Sequence, residues 1–524
     1  MSIFSNKNLF NTHLFYLAAI FIFSFIINFY YSKFGVFPID TFLHYDSAYR
    51  MLNNEYPIRD YWVVSGLTVD FLQFLFFKVL GVNWFAYTFH SSIFNAIISL
   101  LSYYFFVSLK ISKIKSFIYS LSFAILAYTI SGTPFVDHHA TFFSLTATYL
   151  TIIAFSDPQK KIIWSFIILL FLLGFLSKQV PTTYVAITQG LIALCFLIKK
   201  KSFNIIKISL ISFVGFIGFF LIILIYLKIE PKNFYLQYLH YPQYIGSDRF
   251  SYLSKSIGSL FNHYKFLFLP IIIILIFKFM KIKNKKINFF SNEIFNLLLL
   301  LAFCFSLIFH QMMTKNQIFI YFLIPIFFAI AESDIQNSKL KYKKYLSIFL
   351  IFFLTIVTVK YHLRYNETRK FHELERVDLK KALSAEKIDK SLKGLNWITP
   401  FFDKNPSNEL MILKKVKNRI NNINYEIMFI THYLFLDSIT EKKLNYPSRT
   451  FTVDGASMPN DKSKFFFQYK NFLIKKIQKK NIKEVYFLKH EKISKKIITA
   501  YLSEKCYNFR EDDLFYIYKI NCLK

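Results

Sequence analysis

Acidic residues are scarce in this chain: 31 Asp and Glu stand against 64 Lys and Arg, a formal charge of +33. Such an excess invites a nucleic-acid reading. The basic residues, however, fall in short clusters between apolar runs, as they do in cytoplasmic loops, so nucleic acid is set aside as a partner. Glycine and proline are also few, 12 and 13 in 524 residues, while 54% of the residues are hydrophobic and 20% aromatic. That balance excludes a disordered chain. With apolar runs reaching the roughly 20 residues that span a bilayer, it points to an integral membrane protein. No internal repeat is present, and the first apolar run lacks a small-residue cleavage site, so it reads as an uncleaved span. Of the four cysteines, Cys195 and Cys304 lie in apolar runs and read as small packing residues. Cys506 and Cys522 flank the last expected strand and read as a disulfide.

The fold class expected is an α-helical polytopic membrane protein followed by a soluble α/β domain. Apolar runs at 13–34, 84–109, 116–132, 140–155, 162–177, 181–198, 206–228, 264–280, 293–310, 317–332 and 345–361 predict about eleven transmembrane helices in a domain spanning 1–363. Five lysine clusters, at 110–115, 160–161, 199–201, 281–286 and 339–344, fall on one side if the N-terminus is cytoplasmic. The first loop (35–83), the 229–263 loop and everything after 361 then face outward. Leu67–Leu80 is apolar but carries Asp70 and Lys78, and reads as a helix in the outer interface rather than a span. Residues 364–524 have the composition of a soluble domain. Within it, 371–390 reads as an amphipathic helix, and 426–436, 484–488 and 514–520 read as strands. This domain has no glycine-rich phosphate loop, nucleophile elbow or zinc-ligand spacing.

The stretch 44–73, HYDSAYRMLNNEYPIRDYWVVSGLTVDFLQ, reverses the charge balance of the rest. It holds no lysine; Asp46, Glu55, Asp60 and Asp70 stand against Arg50 and Arg59. Asp46 reads as a catalytic carboxylate or as the cap of a short helix. Asp137, His138 and His139, three adjacent polar groups at a span boundary, read as substrate hydrogen bonding or as a solvated turn. A divalent metal shared with Asp46 is the lesser reading, and no cofactor or metal is assigned. Lys178 and Gln179 end a span on the lysine-poor side, where Lys178 either snorkels or pairs with a lipid phosphate. His310 and Lys315 invite the same reading, and the YLQYLHYPQY segment suits an aromatic belt or sugar stacking.

One span, a carboxylate-bearing outer loop, alternating spans and a C-terminal outer domain together resemble the GT-C class of membrane glycosyltransferases. Within that class the chain is similar to the lipid A aminoarabinose transferase and protein O-mannosyltransferase group. HYDSAYRMLNNEYPIRDYW followed by GVNWFAY carries the local likeness, with Asp46 at the first motif position and Asp60 at the second. Ser47 stands where many members have Glu, and Asn54–Glu55 replace the usual glycine. The resemblance implies transfer of a sugar from a polyprenyl-phosphate carrier to a glycan, lipid or protein acceptor, on the outer face of a bacterial cytoplasmic membrane. It implies Asp46 as base and inversion at the anomeric carbon. Arg59, Asp60, Asp137, His138, His139, Lys178, Gln179, His310 and Lys315 are the expected substrate-binding residues. Alternatives are an O-antigen-type glycan polymerase or ligase, or a transporter, which would need ionisable groups near mid-membrane.

Overall fold

Each predicted apolar run is helical over most of its length in the computed structural model, which describes residues 7–128, 131–314, 320–368, 374–375, 377–452 and 455–521. Contacts divide the chain into two units. One comprises Met1–Ser32, Thr88–Gly218 and Phe250–Phe371; the other comprises Lys33–Tyr87, Phe219–Arg249 and His372–Lys524.

In the first unit the structure is helical. Among the described residues, six helices of the chain are long and apolar enough to cross a membrane: Thr12–Tyr31, Trp84–Ser108, Gln179–Lys199, Phe203–Tyr226, Asn292–Met313 and Lys343–Tyr365. Lys161–Ser177 is apolar but shorter. Lys113–Ala127 and Leu323–Gln336 reach only 15 and 14 residues. Leu323–Gln336 also buries two acids: Glu332 takes Lys115 at 2.5 Å, and Asp334 takes Lys278 at 2.7 Å. The hydropathy pattern alone singled out neither acid. Polar knots join the helices. Gln189 Nε2 donates to Thr148 Oγ1 at 2.8 Å and to the Leu299 carbonyl at 3.1 Å, tying three helices where lipid offers no alternative partner.

Helix termination reflects the shortage of glycine. Lys110, Lys201, Lys228 and Lys285 each adopt positive φ (62°, 54°, 57° and 52°) just past a helix end. The closing hydrogen bonds Ser202 N to Leu197 O (2.9 Å), Ile229 N to Leu224 O (2.8 Å) and Lys286 N to Lys281 O (2.9 Å) are those of the Schellman motif. Glycine usually takes the left-handed position; a lysine there costs about 1 kcal/mol more.

The second unit holds the sheets. A pair, β1 (Leu383–Ser384) and β2 (Asn396–Trp397), is antiparallel. The larger sheet contains β3 (Ile427–Ile430), β4 (Glu484–Leu488), β5 (Tyr507–Glu511) and β6 (Phe515–Ile520) in the order β3-β4-β6-β5. β3 and β4 run parallel, with Ile427 opposite Glu484, and are buried at every residue. That is why they read as apolar runs, with Glu484 at the start of β4 the one exception. Helix Pro406–Asn421 starts on a proline and buries Leu410, Leu413, Val416 and Ile420 at helical spacing. Cys506 is disulfide-bonded; Cys522, its expected partner, lies outside the described residues.

Two expectations change here. The helix predicted over 371–390 is replaced, in its described residues, by short turns and β1. The apolar spacing of Ala385, Ile388 and Leu392 is helical, but Asp378 accepts from Lys380 N and Asp389 from Ser391 N, and such side-chain caps start turns that compete with a helix. The first loop, assigned from sequence to the membrane domain, packs in one unit with the C-terminal residues. Gly35 N donates to Asn396 O at 3.0 Å, Val36 N to Ile398 O at 2.8 Å and Trp62 N to Pro447 O at 2.9 Å. Phe42 packs on Trp397 and Phe435. Leu67–Leu80 belongs to the same unit, with Val69, Asp70, Gln73 and Phe77 buried.

Candidate functional site

Helix Leu43–Leu52 is buried on nearly every face, which is unusual for a segment this polar. It starts one residue after Phe42, so Asp46 lies inside it and is not its cap. Asp46 is 1% exposed, and neither carboxylate oxygen has a hydrogen-bond partner among the described residues. The nearest cation, Arg50, stands 3.8 Å away. Burial pushes the Asp46 carboxyl well above the usual carboxylate range, more than Arg50 offsets. Burial likewise raises Asp437, whose charge acts on Asp46.

Arg50 spends its guanidinium elsewhere. It donates to Glu55 Oε2 at 3.0 and 3.2 Å and to the Tyr446 carbonyl, and lies 3.8 Å over the Tyr61 ring. Lys480 reaches the other Glu55 oxygen at 2.7 Å. Although burial opposes it, Arg50 with Lys476 and Lys480 holds the Glu55 carboxyl well below its ordinary value. Lys476 is buried, donates to the Asp60 carbonyl at 2.6 Å, and is pushed down to about 7 by burial and by Arg50.

Arg59 and Asp60 close a turn. Asp60 Oδ2 accepts Tyr56 N at 2.9 Å and Arg59 Nε at 2.7 Å, and Arg59 also donates to the Leu227 carbonyl. On the opposite side of helix Leu43–Leu52 in sequence, Asp70 receives His44 Nδ1 at 2.6 Å and the Arg449 guanidinium. Arg449 also bonds Ser47 Oγ and the Ser65 carbonyl. His44, Asp70 and Arg449 are all buried. None of the three was given a site role from sequence, although Asp70 was noted among the acids of the stretch. His44 sits two residues before Asp46, and Asp70 is the lone acid of an apolar helix, so both carried a signal. Arg449 carried none.

In the first unit the structure gathers three residues that were weighed separately. Asp137, in the first turn of Val136–Ser156, accepts Lys178 Nζ on both oxygens at 2.7 Å and His310 Nε2 at 2.9 Å. Lys178 sits between Lys161–Ser177 and Gln179–Lys199, and His310 in the last turn of Asn292–Met313. Three helix ends therefore meet on one carboxylate, and the Lys178 charge is spent there. The neighbours face elsewhere: His138 bonds the Ala127 carbonyl, and His139 Nε2 meets His90 Nε2 at 3.1 Å. Gln179 is a half-buried residue opening its helix. Lys315 lies outside the described residues. No group of three His, Cys, Asp or Glu side chains able to hold a metal occurs among the described residues. No family model matches the chain, and no curated protein matches it in sequence.

Proposed function

We propose that this protein is an integral-membrane glycosyltransferase that moves a sugar from a polyprenyl-phosphate carrier to an acceptor hydroxyl on the outer face of the membrane, with helix Leu43–Leu52 carrying the catalytic group. The observation that carries the reading is Asp46. Several buried polar atoms lack a partner among the described residues, but Asp46 is the buried carboxyl with neither oxygen bonded, and each such atom costs about 1–3 kcal/mol. Buried titratable groups with displaced pKa values concentrate where chemistry is done. The six long apolar helices supply the membrane setting that a lipid-linked donor requires. The family resemblance gives Asp46 the role of taking the acceptor's proton as its oxygen attacks the anomeric carbon.

The test is release of polyprenyl phosphate from a panel of short-chain polyprenyl-phosphate hexoses by the purified, detergent-solubilised chain, with a membrane glycolipid extract as acceptor source. Wild type is expected to release it and to label the extract. Asp46→Asn is expected to lower the rate by about 10²–10⁴-fold, the range for removing a general acid or base. Wild type inert toward every donor would sink the reading.

A further inference from the structure

The transfer reading requires a group that is unprotonated before reaction, and burial holds the Asp46 carboxyl toward its acid form. The same helix offers a second candidate. His44 Nδ1 lies 2.6 Å from Asp70 Oδ1, and Asp70 is held on its other oxygen by Arg449. With both carboxylate oxygens engaged by donors, the imidazole carries its hydrogen on Nδ1, an assignment made from the partners. Nε2 is then a lone-pair acceptor. It is buried and has no hydrogen-bond partner among the described residues. His44 and Asp70 are each 0% exposed.

Three observations set this apart from an ordinary core histidine. His44 leaves Nε2 bare within the protein, as His432 leaves Nδ1, but its other nitrogen is held on a buried carboxylate that fixes which one accepts. Asp70 is oriented by a guanidinium that also grips Ser47, three residues along the helix from His44, so ring and helix are fixed together. Burial lowers the imidazole's pKa by more than Asp70 raises it, which keeps the ring neutral and able to accept.

We infer that His44 is a further catalytic residue, the proton acceptor for the incoming hydroxyl, with Asp70 and Arg449 as its positioning residues. The inference rests on the transfer reading and moves the proton-accepting role given there to Asp46 onto His44: Asp46, held in its acid form by burial, donates a hydrogen bond to the substrate instead. In the step, the acceptor O–H bond breaks and its proton passes to His44 Nε2. The oxygen's electron pair forms the new bond to the anomeric carbon, while the carbon–oxygen bond to phosphate breaks and its pair leaves on the phosphate. Asp70 stabilises the imidazolium so formed, as an orienting carboxylate does in hydrolytic triads. Nε2 is enclosed by side chains, so the hydroxyl reaches it only where those side chains part.

The experiment uses the full-length chain and the same polyprenyl-phosphate hexose panel. His44→Ala is expected to lose at least about 10²-fold in kcat and to regain part of it with added imidazole, which fits the vacated space. His44→Gln, which keeps the volume and hydrogen-bonding capacity without a base, is expected to fold and remain inactive without rescue. Asp70→Asn is expected to lower kcat with little change in donor KM, because the amide favours the wrong tautomer. Wild-type rates in His44→Gln, or His44→Ala that is inactive and not rescued, overturns the inference while leaving the transfer reading standing. Failure of both His44 variants to fold overturns it in favour of a structural role. A wild type that uses no donor defeats the transfer reading itself.

Discussion

Asp46 and Lys476 are ionisable groups buried at a cost, and pH exposes each with an opposite sign. The Asp46 carboxyl is raised in the folded chain, so above about pH 4 the unfolded chain gives up a proton that the folded chain keeps. Stability then falls as pH rises through that window, and Asp46→Asn removes the fall. The variant is expected to unfold at a temperature equal to wild type near pH 4 and higher by pH 8, in thermal melts of the solubilised protein. A variant that melts lower at both values would mean the carboxyl is making a contact that holds the fold. Lys476 works the other way. Its folded pKa is about 7 against an ordinary 10.5, so between those values the unfolded chain holds the extra proton and stability rises with pH. Lys476→Met is expected to flatten that rise relative to wild type over pH 7 to 10. Equal slopes would place the lysine in water.

Helix ends decide two further outcomes. Lys201 occupies a left-handed position that glycine takes without strain, and its side chain is exposed. Lys201→Gly is expected to stabilise the protein by about 1 kcal/mol, since relief of the backbone exceeds the entropy glycine adds to the unfolded chain. A loss on denaturation would show that the lysine's charge matters more than its φ. The Asp137 site tests packing of three helices on one carboxylate. Lys178→Met leaves Asp137 largely buried beside His310 and is expected to cost about 3–5 kcal/mol. Asp137→Asn with Lys178→Met is expected to recover much of that, because no charge is stranded. Additive losses in the double-mutant cycle would mean the pair is not coupled.

For the molecule as a whole, the lysine clusters predict membrane topology. Reporter fusions at Lys201 and Ser407 are expected to read opposite sides, with Lys201 cytoplasmic. The same side for both would remove the outer-face location from the proposed function and leave the chemistry of helix Leu43–Leu52 to be tested in detergent. The acids Glu332 and Asp334 belong to this scale too. They pair with Lys115, Lys278 and Lys281, lysines of or near the basic clusters, so part of the charge that marks topology in sequence also fastens helices to one another.

What the sequence determined by itself is whatever a run of neighbours decides. Apolar stretches became helices, β4 falls at 484–488 as read, and β3 and β6 fall inside their predicted ranges: β3 is buried throughout and reads as an unbroken apolar run, while β4 and β6 are apolar and aromatic apart from Glu484 and Lys519. Asp46 stood out because its stretch reverses the charge balance of the chain, and the Asp137–His138–His139 segment because adjacent polar groups at a span boundary are costly. Tertiary structure decided the rest. Ala385, Ile388 and Leu392 show helical spacing, yet Asp378 and Asp389 bent that segment into turns, a local contest that hydropathy does not register. The sites are assembled from distant pieces: Arg449 lies 379 residues from Asp70, and His310 lies 173 from Asp137. A hydrogen bond depends on where two backbones are brought, and no spacing along the chain encodes that. The sequence therefore marked some of the residues that are expensive to bury, and only the fold showed which partner each one has and that several buried polar atoms, the Asp46 oxygens and the far nitrogen of His44 among them, have none among the described residues.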